Sequence, residues 1–132
     1  MRYSADMPLD AAGLAAIRTA LEAAEDVSAT EALPLLREAS EKLTELIDDS
    51  MAEAVLTGGA SLRSAGARAG LSENAVGPRL ARTAALSAYA NDSGRVTAAA
   101  VERARYDLEL GTPRTTAHPP KPMRFTPRRR TP

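Results

Sequence analysis

The chain has 132 residues, one histidine and no cysteine, so a disulfide framework and a thiolate metal site are excluded. Leu, Ile, Val and Phe supply only 23 residues and Ala supplies 28, a composition that favours helices around a thin core and self-association to complete it. The net charge of zero conceals segregation, because residues 1–56 sum to −8, residues 57–112 to +2 and residues 113–132 to +6.

The N-terminal half predicts two helices that fold back on each other as a hairpin. Residues 1–9 are expected to be flexible and lack a signal peptide's apolar core, and no apolar run approaches the roughly 20 residues of a membrane span, so we expect a cytoplasmic protein without a membrane partner. Asp10 suits the N-cap of a first helix over about 11–27. Ser28 or Thr30 suits the N-cap of a second helix, which extends to about Leu56 and is ended by the glycines that follow. Steps of three and four predict the buried positions: Leu14, Ile17, Leu21 and Ala24, then Leu36, Ser40, Leu43, Ile47, Met51 or Ser50, and Ala54. We predict that residues 10–57 also form a homodimer interface.

Residues 61–80 carry the most informative pattern of the chain. They predict a helix over 62–69, a sharp turn at 69–72 and a second helix over 73–81. A small residue must stand four positions before the turn glycine for the helices to approach, and Gly66 stands there. Gly70 tolerates the positive φ of the turn, and Ser72 suits an N-cap. This spacing predicts a helix-turn-helix in a DNA-binding domain of residues 58–112.

The same segment resembles the helix-turn-helix of bacterial repressors. In those motifs the turn often has the sequence alanine-glycine-valine-serine, followed by two polar residues that contact bases, and here it is Ala69-Gly70-Leu71-Ser72. Residues 51–82 are also similar to small bacterial proteins in which a long acidic helix precedes the motif. The resemblance implies DNA binding, with Glu73, Asn74 and Ala75 facing base edges in the major groove.

Arginines around the motif predict further contacts with a DNA duplex. Base contacts are expected from four side chains, since the Asn74 amide matches adenine and a guanidinium matches guanine: Glu73, Asn74, Ala75 and Arg79. Phosphate contacts are expected from five: Arg63, Arg68, Ser72, Arg82 and Arg95. Gly77-Pro78 departs from the family pattern, which normally has a polar base-contacting residue at this place. Pro78 removes an amide inside the second helix, which then either kinks or restarts at the proline.

Two interpretations fit the segment after the motif. Residues 86–97 form either a short strand–turn–strand wing or a plain loop that packs Tyr89 on the core. Thr97 then caps a last helix over 98–110, with Val101, Ala104 or Arg105, and Leu108 inward, and Gly111 ends it. The Pro/Arg-rich tail of residues 113–132 is predicted to be disordered and to contact DNA or an acidic protein partner through Lys121, Arg124, Arg128, Arg129 and Arg130.

The predicted fold is therefore all-α: an N-terminal helical hairpin, a helix-turn-helix, a short β-wing as one alternative and a disordered basic tail. We find no glycine-rich phosphate loop, metal-ligand spacing or nucleophile–base pair, so we expect no enzyme activity, cofactor or metal. The predicted function is a homodimeric transcriptional regulator or locus-binding factor that binds double-stranded DNA at the nucleoid through residues 72–82. The alternative is a phage or plasmid assembly or packaging adaptor that uses its helices for protein–protein contacts.

Overall fold

The computed structural model describes residues 10–111, which form five α-helices and one short 3-10 helix. The helices are α1 (Ala11–Glu25), α2 (Ala29–Leu56), α3 (Leu62–Arg68), α4 (Glu73–Leu80) and α5 (Ala98–Leu110). The all-α class is confirmed, and residues 10–111 contain no strand. Within the same residues, no helix has both the length and the apolar character needed to cross a bilayer. The expectations of a flexible segment at 1–9 and a disordered tail at 113–132 concern residues outside this range.

Local capping interactions determine where the helices begin and end. The Ser28 hydroxyl accepts a hydrogen bond from the Glu31 amide at 3.2 Å, and the Glu31 carboxylate accepts one from the Ser28 amide at 3.4 Å. This capping box satisfies amides that have no partner inside α2. The Thr97 hydroxyl likewise accepts from the Ala100 amide at 3.2 Å, and Gly111, with φ of 76°, ends α5. The predicted start at Thr97 and end at Gly111 are confirmed.

α1 packs antiparallel against the N-terminal part of α2 through two alanines and two larger apolar side chains. Gly13 lies so close to α2 that a Cβ there would be 3.3 Å from Cδ2 of Leu46. The side chains buried between the two helices form one cluster: Ile17, Ala20, Ala39 and Leu46. The predicted buried stripes are wrong at Leu21 of α1 and at Leu36 and Leu43 of α2, which are 45%, 44% and 48% exposed. The periodicity found a real apolar stripe of α2, but α1 covers the neighbouring stripe that contains Ala39 and Leu46.

The main core lies where the C-terminal part of α2 meets the rest of the described chain. Its fully buried side chains come from α2, α4 and the segments after α4: Val55, Val76, Leu80, Leu86 and Val96. Arg105 of α5 joins α5 to α2, because its guanidinium donates to the carbonyls of Val55 at 2.8 Å and Ala60 at 3.2 Å. α2 has no basic residue in its last turn, so Arg105 supplies the cation that stabilises that helix end.

Residues 86–97 form a loop, and the predicted β-wing is wrong. Ser87–Tyr89 is a single 3-10 turn, and the Asn91 side-chain carbonyl accepts two backbone amides of the following turn at 2.9 and 3.1 Å. Leu86 and Tyr89, three positions apart, are both buried. Strand side chains two apart share a face, so burial at a step of three suits a helical turn. The alternative interpretation, a loop that packs Tyr89 on the core, is confirmed.

Candidate nucleic-acid interface

A tight turn joins α3 to α4 and sets the angle between them. Gly70 has φ of +78°, a conformation that glycine adopts without strain. The Gly70 amide donates to the carbonyl of Ala67 at 3.1 Å, and the Leu71 amide donates to that of Gly66 at 2.8 Å. These two bonds form a Schellman closure of α3. The positive φ predicted for Gly70 is confirmed.

The two short helices touch at Gly66. A Cβ on Gly66 would lie 2.5 Å from Cγ2 of Val76, so any larger residue would push α4 away from α3. Val76 and Leu80 are completely buried. Because these two residues face the core, the opposite side of the first turn of α4, at residues 72–74, is exposed.

Pro78 lies inside α4, which is continuous over Glu73–Leu80. Proline has no amide to donate to the carbonyl of Asn74, four residues earlier. Arg95 takes that place, because its Nη2 donates to the Asn74 carbonyl at 2.9 Å. The neighbouring Gly77 permits the approach of this loop, because a Cβ there would lie 3.1 Å from the carbonyl oxygen of Val96. The Gly77 carbonyl accepts a hydrogen bond from the Val96 amide at 3.1 Å. Arg95, expected to contact phosphate, thus holds α4 in this structure.

A partly buried ion pair connects α4 to α2. Arg79 Nε donates to Oδ1 of Asp48 at 2.7 Å, and the side chains of Arg79 and Asp48 are only 22% and 8% exposed. Nη2 of Arg82 lies 3.6 Å from Oδ2 of the same carboxylate. Arg79 therefore faces α2, away from the exposed residues 72–74, which differs from the base contact expected of it. Arg82, expected at phosphate, also contacts Asp48, although 67% of its side chain is exposed.

Sequence reasoning did not identify Asp48 as a key residue. It stands in a run of acidic residues on α2, and the run predicts a solvated face. Its partner Arg79, which explains its burial, is 31 positions away in the sequence, and helical periodicity cannot predict a contact over that separation. An arginine three positions after Val76 on a helix facing the core was the only indirect signal.

Several of the expected DNA contacts lie on α3, on α4 or in the turn between them. Nη2 of Arg63 lies 3.3 Å from Oε1 of Glu73, and these side chains are 80% and 56% exposed. A surface pair of this kind contributes about 0–1 kcal/mol, so both groups can exchange it for another partner. Ser72 and Asn74 are exposed beside Glu73, and Ser72 is the N-cap residue of α4 without a side-chain capping bond. Ala75 is half-buried.

Arg68 occupies a different place from Arg63, although both belong to α3. It lies at an apolar groove of about 370 Å³ between α2 and α3, where its neighbours include Leu43 and Met51. The expected tail contacts, Lys121, Arg124, Arg128, Arg129 and Arg130, lie outside the described residues. The arrangement therefore brings Arg63, Glu73 and Asn74 together and separates them from Arg79 and Arg82.

The α2 side of α4 is acidic. An open groove of about 560 Å³ there is lined in part by Glu41, Glu45, Asp48 and Asp49. Burial, followed by the carboxylates of Asp48, Glu45 and Asp10, raises the pKa of Asp49. Accumulated negative charge repels phosphate, so the side of α4 that carries Asn74 is the side suited to a nucleic acid.

No protein-family model, no curated protein and no solved structure matches the chain. Over residues 10–111, no three histidine, aspartate or glutamate side chains are grouped so that they could hold a metal ion.

Proposed function

We propose that this protein binds double-stranded DNA and inserts the first turn of α4 into the major groove. The observation that carries the proposal is the contact of Gly66 with Val76, which closes α3 on α4 and leaves residues 72–74 exposed. A short second helix held in this way is how helix-turn-helix proteins present side chains to base edges. The resemblance of residues 69–72 to repressor turns supports the same conclusion.

The proposed contacts separate into base contacts and phosphate contacts. Asn74 offers the paired donor and acceptor that match adenine, and Glu73 can accept from cytosine. Arg63 and Ser72 are proposed to contact phosphates, with the tail arginines reinforcing them. Arg68 lies at the apolar groove between α2 and α3 and has no phosphate contact in this proposal. Ala75 is proposed to touch the groove through its methyl group.

Two of the arginines that were expected to contact DNA have a positioning role in this proposal. Arg79 positions α4 through Asp48, and Arg95 positions it through the Asn74 carbonyl. Arg82 keeps an exposed guanidinium beside Asp48 and is proposed to reach a phosphate at the edge of the interface. Base recognition then depends on Glu73 and Asn74 rather than on an arginine of α4.

A biological role follows from these contacts and from the homodimer expected through residues 10–57. Two α4 helices related by a twofold axis would contact half-sites about one DNA turn, or 34–36 Å, apart. We propose a cytoplasmic, nucleoid-associated regulator of transcription or a factor that binds one plasmid, phage or chromosomal locus.

The test is selection of binding sites from random duplex DNA, followed by affinity measurements over a range of salt concentrations. Asn74→Ala should cost about 1–3 kcal/mol on the selected site and relax specificity at one base pair. Arg63→Ala should weaken binding to all sequences and lower the salt slope by about one. Arg103→Ala, at an exposed arginine of α5, is the matched control and should change neither. The absence of salt-sensitive binding to any duplex would refute the proposal.

The exposed leucines of α1 and α2 favour a second candidate, a phage or plasmid packaging or assembly adaptor. Such a protein would use the same helices for contacts among several copies. Light scattering after size exclusion separates the two, because a ring-sized assembly indicates packaging and a dimer indicates regulation.

A further inference from the structure

We propose that a second copy of this chain covers an apolar face of the α1–α2 pair, so that two pairs form a four-helix bundle. Five side chains define this leucine face: Leu14, Leu21, Leu36, Leu43 and Ile47. The inference deepens the dimeric part of the proposed function by naming the surface and its partner. Its test needs no DNA, so its failure is distinguishable from failure of DNA binding.

The α1–α2 pair buries few side chains between its helices and leaves several leucines exposed. Two of its four buried residues are alanines, Ala20 and Ala39. Leu21, Leu36 and Leu43 remain 45%, 44% and 48% exposed. A helix normally turns its larger apolar side chains towards the core. We therefore infer that the exposed leucines form a second apolar face, in addition to the face between α1 and α2.

The leucine face is continuous because of the register of the two helices. Leu14, Leu43 and Ile47 line one groove. Since α1 and α2 run in opposite directions, seven residues forward from Leu14 and seven residues back from Leu43 lead the same way along the pair. Those steps arrive at Leu21 and Leu36, so the groove extends as an apolar stripe by about two turns.

The dimensions of the face fit a second copy. The parts of the two helices outside the main core, residues 11–25 and 29–47, are about 1.5 Å long per residue and about 10 Å wide, so they present about 500 Å² on one side. Two such faces bury about 1,000 Å² in total, which is the lower limit for a specific interface. The groove of about 370 Å³ continues the face towards α3 and is lined almost entirely by apolar side chains, as a hole for the knobs of a partner helix should be.

The charges around the face also fit a copy of the same chain. Arg18 and Glu25 are seven positions apart on one side of α1, so an antiparallel twofold contact brings opposite charges together. The acidic residues Glu41, Glu45 and Asp49 line other grooves and stay clear of the contact. A bilayer of anionic lipid would instead meet the charge of −8 that residues 1–56 carry.

Sedimentation equilibrium of the full chain at micromolar concentrations, without DNA, tests the proposal. The unmodified chain should be a dimer. Leu43→Glu should weaken the dimer by about 100-fold or more, because it places an unpaired carboxylate in an apolar contact. Leu110→Glu is the matched control, since Leu110 is a 58% exposed leucine of α5, and the dimer should persist. A monomeric unmodified chain, or a Leu43→Glu variant that dimerises like the control, would overturn the proposal and leave the face to a different partner.

A thiol-protection experiment avoids any effect of a buried charge on folding. The chain has no cysteine, so Leu36→Cys introduces a unique thiol on the leucine face and Leu110→Cys a unique thiol elsewhere. Alkylation of the thiol in Leu36→Cys should slow as protein concentration rises through the dimerisation range, while alkylation in Leu110→Cys stays constant. Equal, concentration-independent rates would overturn the proposal. A dimer without affinity for DNA would refute the proposed function alone, and a monomer that binds a single half-site would refute this inference alone.

Discussion

Removal of the Asp48 carboxylate is the most direct test of how α4 is held. Asp48→Ala leaves the Arg79 guanidinium without its 2.7 Å partner in a site where the side chain is only 22% exposed. Removing one member of a buried pair costs about 3–5 kcal/mol. Because Arg79 keeps some access to water, we expect a loss near the lower limit, about 3 kcal/mol. The free energy of unfolding of a domain of this size is about 5–15 kcal/mol, so the variant should still fold but should be measurably less stable.

Urea denaturation followed by circular dichroism measures that loss of stability. Two further variants show whether the loss comes from the pair of Asp48 with Arg79. Asp49→Ala removes the neighbouring carboxylate, which has no such pair, and should leave the free energy of unfolding nearly unchanged. The double variant Asp48→Leu with Arg79→Met replaces both charges by apolar groups and should recover most of the stability. The reasoning is refuted if Asp48→Ala costs no more than Asp49→Ala, or if the effects at 48 and 79 add without coupling.

Three other predictions concern two contacts that position α4 and one acidic residue of α2. Gly66→Ala should cost about 1–3 kcal/mol in chemical denaturation, since its Cβ would be 2.5 Å from Val76 Cγ2. The same substitution should cost less in a Val76→Ala background, and a fully stable Gly66→Ala would contradict the close contact. Arg95→Ala should cost about 1 kcal/mol by exposing the Asn74 carbonyl at the position of the missing proline amide. The cost should fall when Pro78→Ala restores that amide, and equal costs in both backgrounds would show that Arg95 does not act there. Asp49→Asn should stabilise the protein slightly at neutral pH, by a few tenths of a kcal/mol at an exposed site. The raised pKa of Asp49 means that the folded state binds this proton more tightly than the unfolded state does. The stability that the protonated Asp49 contributes is therefore present in acid and is lost as pH rises through that pKa. Asp49→Asn should consequently raise the thermal unfolding temperature at higher pH and have no advantage in acid.

Features that depend on near neighbours in the chain could be predicted from the sequence. The caps at Ser28 and Thr97 and the turn at Gly70 involve partners within five positions, and propensity alone indicates them. Gly66 was predictable too, because the spacing of the turn determines which residue of α3 meets α4. The all-α class followed from the same local patterns.

Features that depend on the choice between competing surfaces could not be predicted in this way. α2 has adjacent apolar stripes, and periodicity alone does not say whether α1 covers Ala39 or Leu43. The ion pair of Asp48 with Arg79 joins residues that are 31 positions apart. The prediction of a β-wing at residues 86–97 was wrong for a related reason. The short apolar segment around Tyr89 suits either a strand or a 3-10 turn, and the sequence alone does not show which of its residues face the core.

The unbroken length of α2 has a consequence for how the chain can vary. One rod of 28 residues carries the contact with α1 at Leu46 and the contacts with the main core at Val55. Each residue of an α-helix advances the azimuth by about 100°, so a single insertion between those positions would swing one cluster a quarter-turn or more relative to the other. Seven inserted residues come back to within about 20° of the original phase. The distance between the leucine face and α4 can therefore lengthen in steps of two turns but not by single residues.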